Sequence, residues 1–405
     1  MSTEAAHPPP ASAREHLHYV DMVRVLTVAL VIGVHVLAFA PVAPNIALGA
    51  VTVVFHVSRE VFFLLTAFVL TYGTGRGAVR WPVFWRRRYL FVVLPYLLWS
   101  LVYFVADPVP WTPVASAVGE LGHELLTGTA RYHLYFLLVS MQIYLVFPLI
   151  RELLRVTRRH HGLLLTGCAA FQLLFELAVQ RQWQVGPLTG WLRAPDALLP
   201  SYLGYVVAGA VAAWHREELI GWTRRHSRRV FAGCAAAVGL GIGAYLVQVW
   251  VAGETPPTAA AVFQPVVVVE SVAIAWAFLA AGLRWQDRGR PAHRLVRAGS
   301  DASFGIYLSH PLLLQAVVAG AAATGLAATA QRAPTAVVLL VLVLVVTPLL
   351  YLASGLLSAA ARRSPLSLPI TGRLRSRRPT AVVAEPVPPA FSLAVAPSVT
   401  PGGLR

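Results

Sequence analysis

The chain has 405 residues, 57% of them hydrophobic and only 12% charged, with a formal net charge of +16. A soluble globular chain is about a quarter charged, so much of this surface must face something other than water. All thirty-three basic residues are arginine and nearly all lie between apolar runs or at their ends, so the charge reads as membrane topology and not as a nucleic-acid surface.

A membrane span takes about 20 apolar residues. Ten runs qualify: 20–40, 49–73, 88–106, 132–150, 163–180, 198–214, 230–252, 258–283, 302–324 and 334–358, the fifth and sixth being short. The first is read as a retained signal anchor, because residues 1–18 are polar and proline-containing. With the N-terminus inside, the cytoplasmic segments hold 28 arginines and the outer segments four: Arg131, Arg181, Arg193 and Arg332. Arg59 is the remainder. Loss of one span would invert every later loop and erase that bias. The expected fold is therefore all-α, a polytopic bundle of about ten transmembrane helices with both termini cytoplasmic. A cytoplasmic N-terminal segment (1–18) precedes the membrane domain (19–360). The stretch 361–405, rich in Arg and Pro and then in Pro, Ala, Val and Ser, is expected to be a disordered cytoplasmic tail. Cys168 and Cys234 read as packing residues, with neither a disulfide framework nor a metal site behind them.

Polar groups inside lipid-embedded helices must face protein or water, so the intramembrane set is short and informative. Span one carries Arg24 near its inner end and His35 in its outer half. The step of eleven positions from one to the other rises roughly 16 Å in about three turns, so both side chains share a face. Span two brings His56, Arg59 and Glu60 from the outside. His56 faces with Arg59 and with Glu60, whereas Arg59 and Glu60 point about 100° apart and are not expected to pair directly. Span four opens with His133 and Tyr135 and carries Gln142 and Tyr144 deeper. Span eight holds Glu270, and span nine holds Tyr307 and His310. Each also has a structural reading. His56 and His133 sit near span ends, Arg59 and Glu60 can neutralise neighbouring helices, and Glu270 suits a packed acid. His35 stands alone in a long apolar helix, where an imidazole needs a partner or a wet cavity and can exchange a proton near neutral pH.

Five ordered segments then carry a resemblance. DMVRVLTVALVIGVH (Asp21 to His35) is similar to the first-helix signature of the integral-membrane acyltransferase-3 family, with its spaced arginine and histidine. SREVFFLLTAF, FWRRRYLFVVLPYLLW, YHLYFLLVSMQIYLVFPL and SFGIYLSHPLL follow in the family's order. The fourth, starting at Tyr132, resembles the branch that modifies surface polysaccharides and related exported glycans. Two positions depart from the pattern. Thr66 and Ala67 stand where members usually carry Ser-Gly, and Phe91 stands where many carry a second arginine after the loop arginine.

The resemblance implies acyl transfer, with acetyl the expected group, from cytoplasmic acyl-CoA to a hydroxyl of an exported glycan, glycolipid or glycosylated metabolite in a bacterial-type inner membrane. No metal is expected. Arg24 and the Arg86, Arg87 and Arg88 cluster are the expected phosphate contacts, since guanidinium forks suit phosphate oxygens. His35 is the expected base or acyl carrier, with Arg59, Glu60 and His310 beside it. His56, His133, Tyr135, Gln142 and Tyr307 are the expected acceptor contacts. Glu60 or another acid is expected to orient the imidazole. Ten helices and buried charges suit an exporter or flippase of an acylated glycan equally well, and less well a proton-coupled sensor built on His35. Label from acyl-CoA appearing on an acceptor in detergent separates an enzyme from a transporter.

Overall fold

The computed structural model describes residues 15–75, 77–106 and 114–375. Expectations placed on residues 1–14, Arg76, 107–113 and 376–405 lie outside the described residues. Among those described, every regular element is helical. In chain order they are α1 (His18–Ala38), α2 (Ile46–His56), α3 (Ser58–Thr74), α4 (Trp81–Ala106), α5 (Val114–Thr127), α6 (Tyr135–Val156), α7 (His161–Gln180), α8 (Thr189–Arg193) and α9 (Leu203–Trp214). Then come α10 (Arg216–Arg225), α11 (Ser227–Trp250), α12 (Pro256–Ala259), α13 (Pro265–Asp287), α14 (His293–Ala323), α15 (Leu326–Arg332), α16 (Thr335–Val341), α17 (Thr347–Ala361) and α18 (Ser367–Thr371). A π-helical turn, Leu342–Val346, joins α16 to α17.

Nine helical segments among the described residues are long and apolar enough to cross a membrane, and a tenth, Leu199–Trp214, is apolar but short. The arrangement is a multi-pass membrane bundle. Its polar contacts join helix ends that the arginine reading places on the same side. At the inner side Ser300 donates to Asp21 (2.8 Å) and Arg224 grips Asp287 (2.8 Å). At the outer side Gln180 donates to Gln248 (3.0 Å), and Gln248 donates to Gln264 (2.8 Å). The short sixth segment carries Ser201 at one end, held by Gln172, and His215 at the other, held by His161. It runs alongside α7 and is shorter than the nine longer apolar helices.

Several boundaries differ from the sequence reading. The second crossing is broken at Val57 into α2 and α3. The third begins at Trp81, so the three arginines ride on the second turn of a helix instead of a loop. The eighth begins at Pro265, a residue suited to a first helical turn, after an irregular stretch that follows α12. The ninth begins at His293, because a helix continues past the apolar stretch. The chain after 361 is not wholly unstructured: it folds through α18 to Arg375, with Ser367 and Thr371 buried. Averaging composition over 361–405 hides the short apolar run Leu366, Leu368, Ile370.

Apolar helices gain little from one another in lipid, so close approach and hydrogen bonds set their packing. α3 lies along α9, and α1 lies against α13 and α14. A Cβ on Gly209 would sit 2.0 Å from the Leu64 carbonyl oxygen, so only glycine permits that crossing of α9 over α3. α3 and α14 both pack against α1.

Candidate active site

His35 lies on α1 where α14 passes, and its Nδ1 is 2.9 Å from Nε2 of His310. The rings are nearly parallel, with centroids 5.1 Å apart. The local sequence of α14 prepares this contact. Pro311 has no N–H, so the carbonyl of Tyr307, four residues earlier, has no helical donor. Nδ1 of His310 lies 2.8 Å from that oxygen. A carbonyl can only accept, so His310 carries its proton on Nδ1 and leaves Nε2 bare. Nε2 must then accept from Nδ1–H of His35. The chain of bonds fixes the tautomer of His35 and leaves its Nε2 lone pair uncommitted.

His35 lines a cavity of about 420 Å³ together with His56, Ser58, Arg59, Phe62, Tyr132, His133, Tyr135, Phe136 and Tyr307. Tyr132 tilts against the His35 ring at 4.6 Å. His133 sits edge-on to Tyr103 (5.4 Å), Tyr307 (5.1 Å) and His310 (5.5 Å). The Tyr307 hydroxyl donates to the His133 carbonyl, and the Tyr103 hydroxyl donates to the Leu308 carbonyl (2.6 Å). These aromatic residues tie the start of α6 to α4 and α14 and leave the cavity one wall of histidine and tyrosine.

The opposite wall is the break between α2 and α3. Irregular backbone at membrane depth is tolerated only where it is covered by protein or lines a cavity. Here His56 and Ser58 flank the break and both face the cavity. Arg59 follows, with Nε donating to Glu60 at 2.5 Å and Nη1 donating to Asp196 at 2.8 Å. Its guanidinium lies over the rings of Phe263 (4.0 Å) and Tyr202 (5.3 Å). The direct Arg59–Glu60 pair overturns the expectation from helical angles. The two residues occupy the first turn of α3, beside a break, and their side chains are long enough to fold together. Nη2 of Arg59 is buried without a hydrogen-bond partner among the described residues.

Glu60 is buried on Arg59 and does not line the cavity, so the expected acid beside His35 is replaced by His310. His310 itself stands behind His35. Gln142 also lies outside this cavity. Its amide donates to the Ala197 carbonyl (2.7 Å) and its oxygen accepts from Leu199 N–H (2.9 Å), which clamps the strap that presents Asp196 to Arg59. Gln142 and Asp196 line a neighbouring groove of about 910 Å³ that shares Tyr132 and Tyr135 with the cavity. Glu270 is buried against Gly241, away from the cavity lining.

At the inner end, Arg24 lies within electrostatic reach of Arg88, Asp21 and Asp301. It makes no hydrogen bond or ion pair among the described residues. Arg88 is half-buried and turned toward Arg24 and Tyr144, whereas Arg86 and Arg87 are exposed. The structure thus separates three arginines that the sequence left equivalent. Tyr132, Asp196, Tyr202 and Phe263 were missed. Asp196 had one signal, an acid in an outer segment facing a membrane cation. The aromatic residues had none, being common in apolar helices. Among the described residues the one cluster with metal-ligand spacing is His16, His18 and Asp21. It stands about 21 Å of helix below His35.

Fold and cavity together define a multi-pass helical membrane protein with an oriented histidine facing a cavity whose lining combines His56, Arg59 and His133 with aromatic and aliphatic side chains. The family model described as an acyltransferase domain, Acyl_transf_3, matches residues 17–352. The chain belongs to that acyltransferase-3 family and is a membrane acyltransferase that transfers groups other than aminoacyl groups. No curated protein and no solved structure matches the chain.

Proposed function

We propose that this acyltransferase moves an acyl group, acetyl in the simplest case, from cytoplasmic acyl-CoA to a hydroxyl of an exported glycan, glycolipid or glycosylated metabolite, in a bacterial-type inner membrane. The observation that carries this reading is the bond from His35 to His310, which fixes the His35 tautomer and leaves its Nε2 free to act as a base at the cavity. Nε2 of His35 takes the proton of the acceptor hydroxyl as its oxygen attacks the thioester carbonyl. The C–S bond breaks, and the departing thiolate takes the proton back from the imidazolium. His310 acts as a positioning residue: it holds the tautomer and accepts from the charged ring. Nη2 of Arg59 is the donor suited to the developing oxyanion or to an acceptor oxygen.

Arg24 lies at the inner end of the α1 face that carries His35, about 16 Å of helix from it, and Arg88 of α4 is within its electrostatic reach. An extended pantetheine arm suits that separation, with its phosphates on the arginines and its thioester at the cavity.

The test is purified protein in detergent with acyl-labelled CoA and a pool of cell-envelope glycans and glycolipids. Label in a covalent product, with the mass shift of one acyl group, supports the reading. A protein that leaves every acceptor unlabelled but moves an acylated glycan across sealed vesicles would replace it with the exporter.

A further inference from the structure

After α17 reaches the inner side, the chain turns back into the bundle. The indole Nε1 of Trp99 donates to the Ile370 carbonyl at 3.0 Å, and Trp99 touches Tyr103, whose ring meets His133. α18 is thus seated among α4, α14 and α17, below the histidine cluster. The seat is specific. Pro95 leaves the Phe91 carbonyl without its helical donor, and that oxygen lies 3.1 Å from where a Cβ on Gly372 would stand. Gly372 has φ +63°, a left-handed conformation that closes α18, and the Phe304 ring fills the space where a side chain would go. The Ser367 hydroxyl donates to the Arg373 carbonyl at 2.8 Å and fixes the backbone of the next residue.

That residue carries charge to the end of the bundle where Asp301 and Arg24 lie. Nη1 of Arg373 is 2.9 Å from Oδ1 of Asp301, which itself lies within electrostatic reach of Arg24, as Arg373 does. Three guanidinium groups, on Arg24, Arg88 and Arg373, share this region. The acids do not balance them. Asp21 is taken by His16 (2.6 Å) and Ser300 (2.8 Å). Asp301 is divided between Arg373 and Arg297, the latter at 4.0 Å. Clustered cations within a membrane bundle require an anion.

We propose that the re-entrant segment completes the donor site, with Arg373 joining Arg24 and Arg88 as a third ligand for the phosphates of CoA. This rests on the acyl-CoA reading above. Arg373 lies beyond the residues matched by the family model, so the family match does not assign it.

The experiment measures equilibrium binding of CoA and of pantetheine, which lacks the phosphates, to the full chain in nanodiscs of neutral lipid. Arg373→Gln is expected to weaken CoA binding at least tenfold and to leave pantetheine binding unchanged. Asp301→Asn removes the protein partner of Arg373 and is expected to keep or tighten CoA binding. Equal losses for both ligands would show that Arg373 only supports the fold. Unchanged CoA binding, or wild-type protein that binds no CoA, would overturn the proposal. A loss that appears only when anionic lipid is added would assign the phosphate to headgroups and overturn it too. Acyl transfer is assayed separately: CoA binding that depends on Arg373 without any transfer would sink the acyltransfer reaction proposed above and leave this site standing.

Discussion

His310 accepts from His35 at 2.9 Å while giving its own proton to the Tyr307 carbonyl at 2.8 Å, so a backbone oxygen freed by Pro311 sets the tautomer of a side chain on another helix. Among the described residues no carboxylate takes part in this relay.

Replacement of the orienting ring tests that relay. In His310→Ala, Nδ1 of His35 has no acceptor and the lone pair is no longer assigned to Nε2. Turnover is expected to fall at least about tenfold, with the KM for acyl-CoA unchanged, since proton transfer by a positioned group contributes about 10²–10⁴. A rise in KM with turnover intact would place His310 in binding instead. Steady-state kinetics on purified protein decide between the two.

Pro311→Ala restores a backbone N–H that competes for the Tyr307 carbonyl. The helix gains a hydrogen bond and the His310 proton loses its fixed acceptor. Thermal stability is expected to hold or rise while turnover falls. A variant that loses both together would show that the proline matters only for packing.

The Arg59–Glu60 pair separates charge balance from chemistry. Arg59→Met leaves a buried carboxylate without its partner, which costs about 3–5 kcal/mol. Adding Glu60→Gln removes that charge, so the double variant is expected to recover most of the stability and none of the activity. Asp196 is half-exposed, so Asp196→Asn is expected to cost at most about 1 kcal/mol. Denaturation and turnover measured on the same preparations give both axes. Activity restored in the double variant would reduce Arg59 to a counter-ion.

Orientation is checked by single cysteines introduced after Cys168 and Cys234 are replaced. Positions Gly77 and Gly289 are expected to resist membrane-impermeant thiol reagents in intact cells, and Glu254 to react. Reaction at Gly77 from outside would invert the bundle.

Much of this molecule was legible before its structure. Arginine spacing and apolar length fixed the crossings, because lipid imposes a length and a charge rule on each helix. His35, Arg59, His133 and Tyr307 stood out because a polar group in an apolar helix is conspicuous, and the structure brings all four to one cavity. What stayed hidden depends on tertiary approach. The break at Val57 has no proline or glycine to mark it. The pairing of His35 with His310 joins residues 275 positions apart. Gln142 read as an acceptor contact, but its amide clamps a loop. The ordered run to Arg375 was masked by the composition of the residues that follow it.

The most direct test of the central claim is single-turnover transfer from labelled acyl-CoA by wild-type protein and by His35→Ala, purified side by side and shown by thermal unfolding to be equally folded. The account predicts that the variant still binds CoA and loses at least about 10²-fold in transfer rate, as expected when a general base is removed. Transfer at the wild-type rate by a folded His35→Ala protein would contradict it.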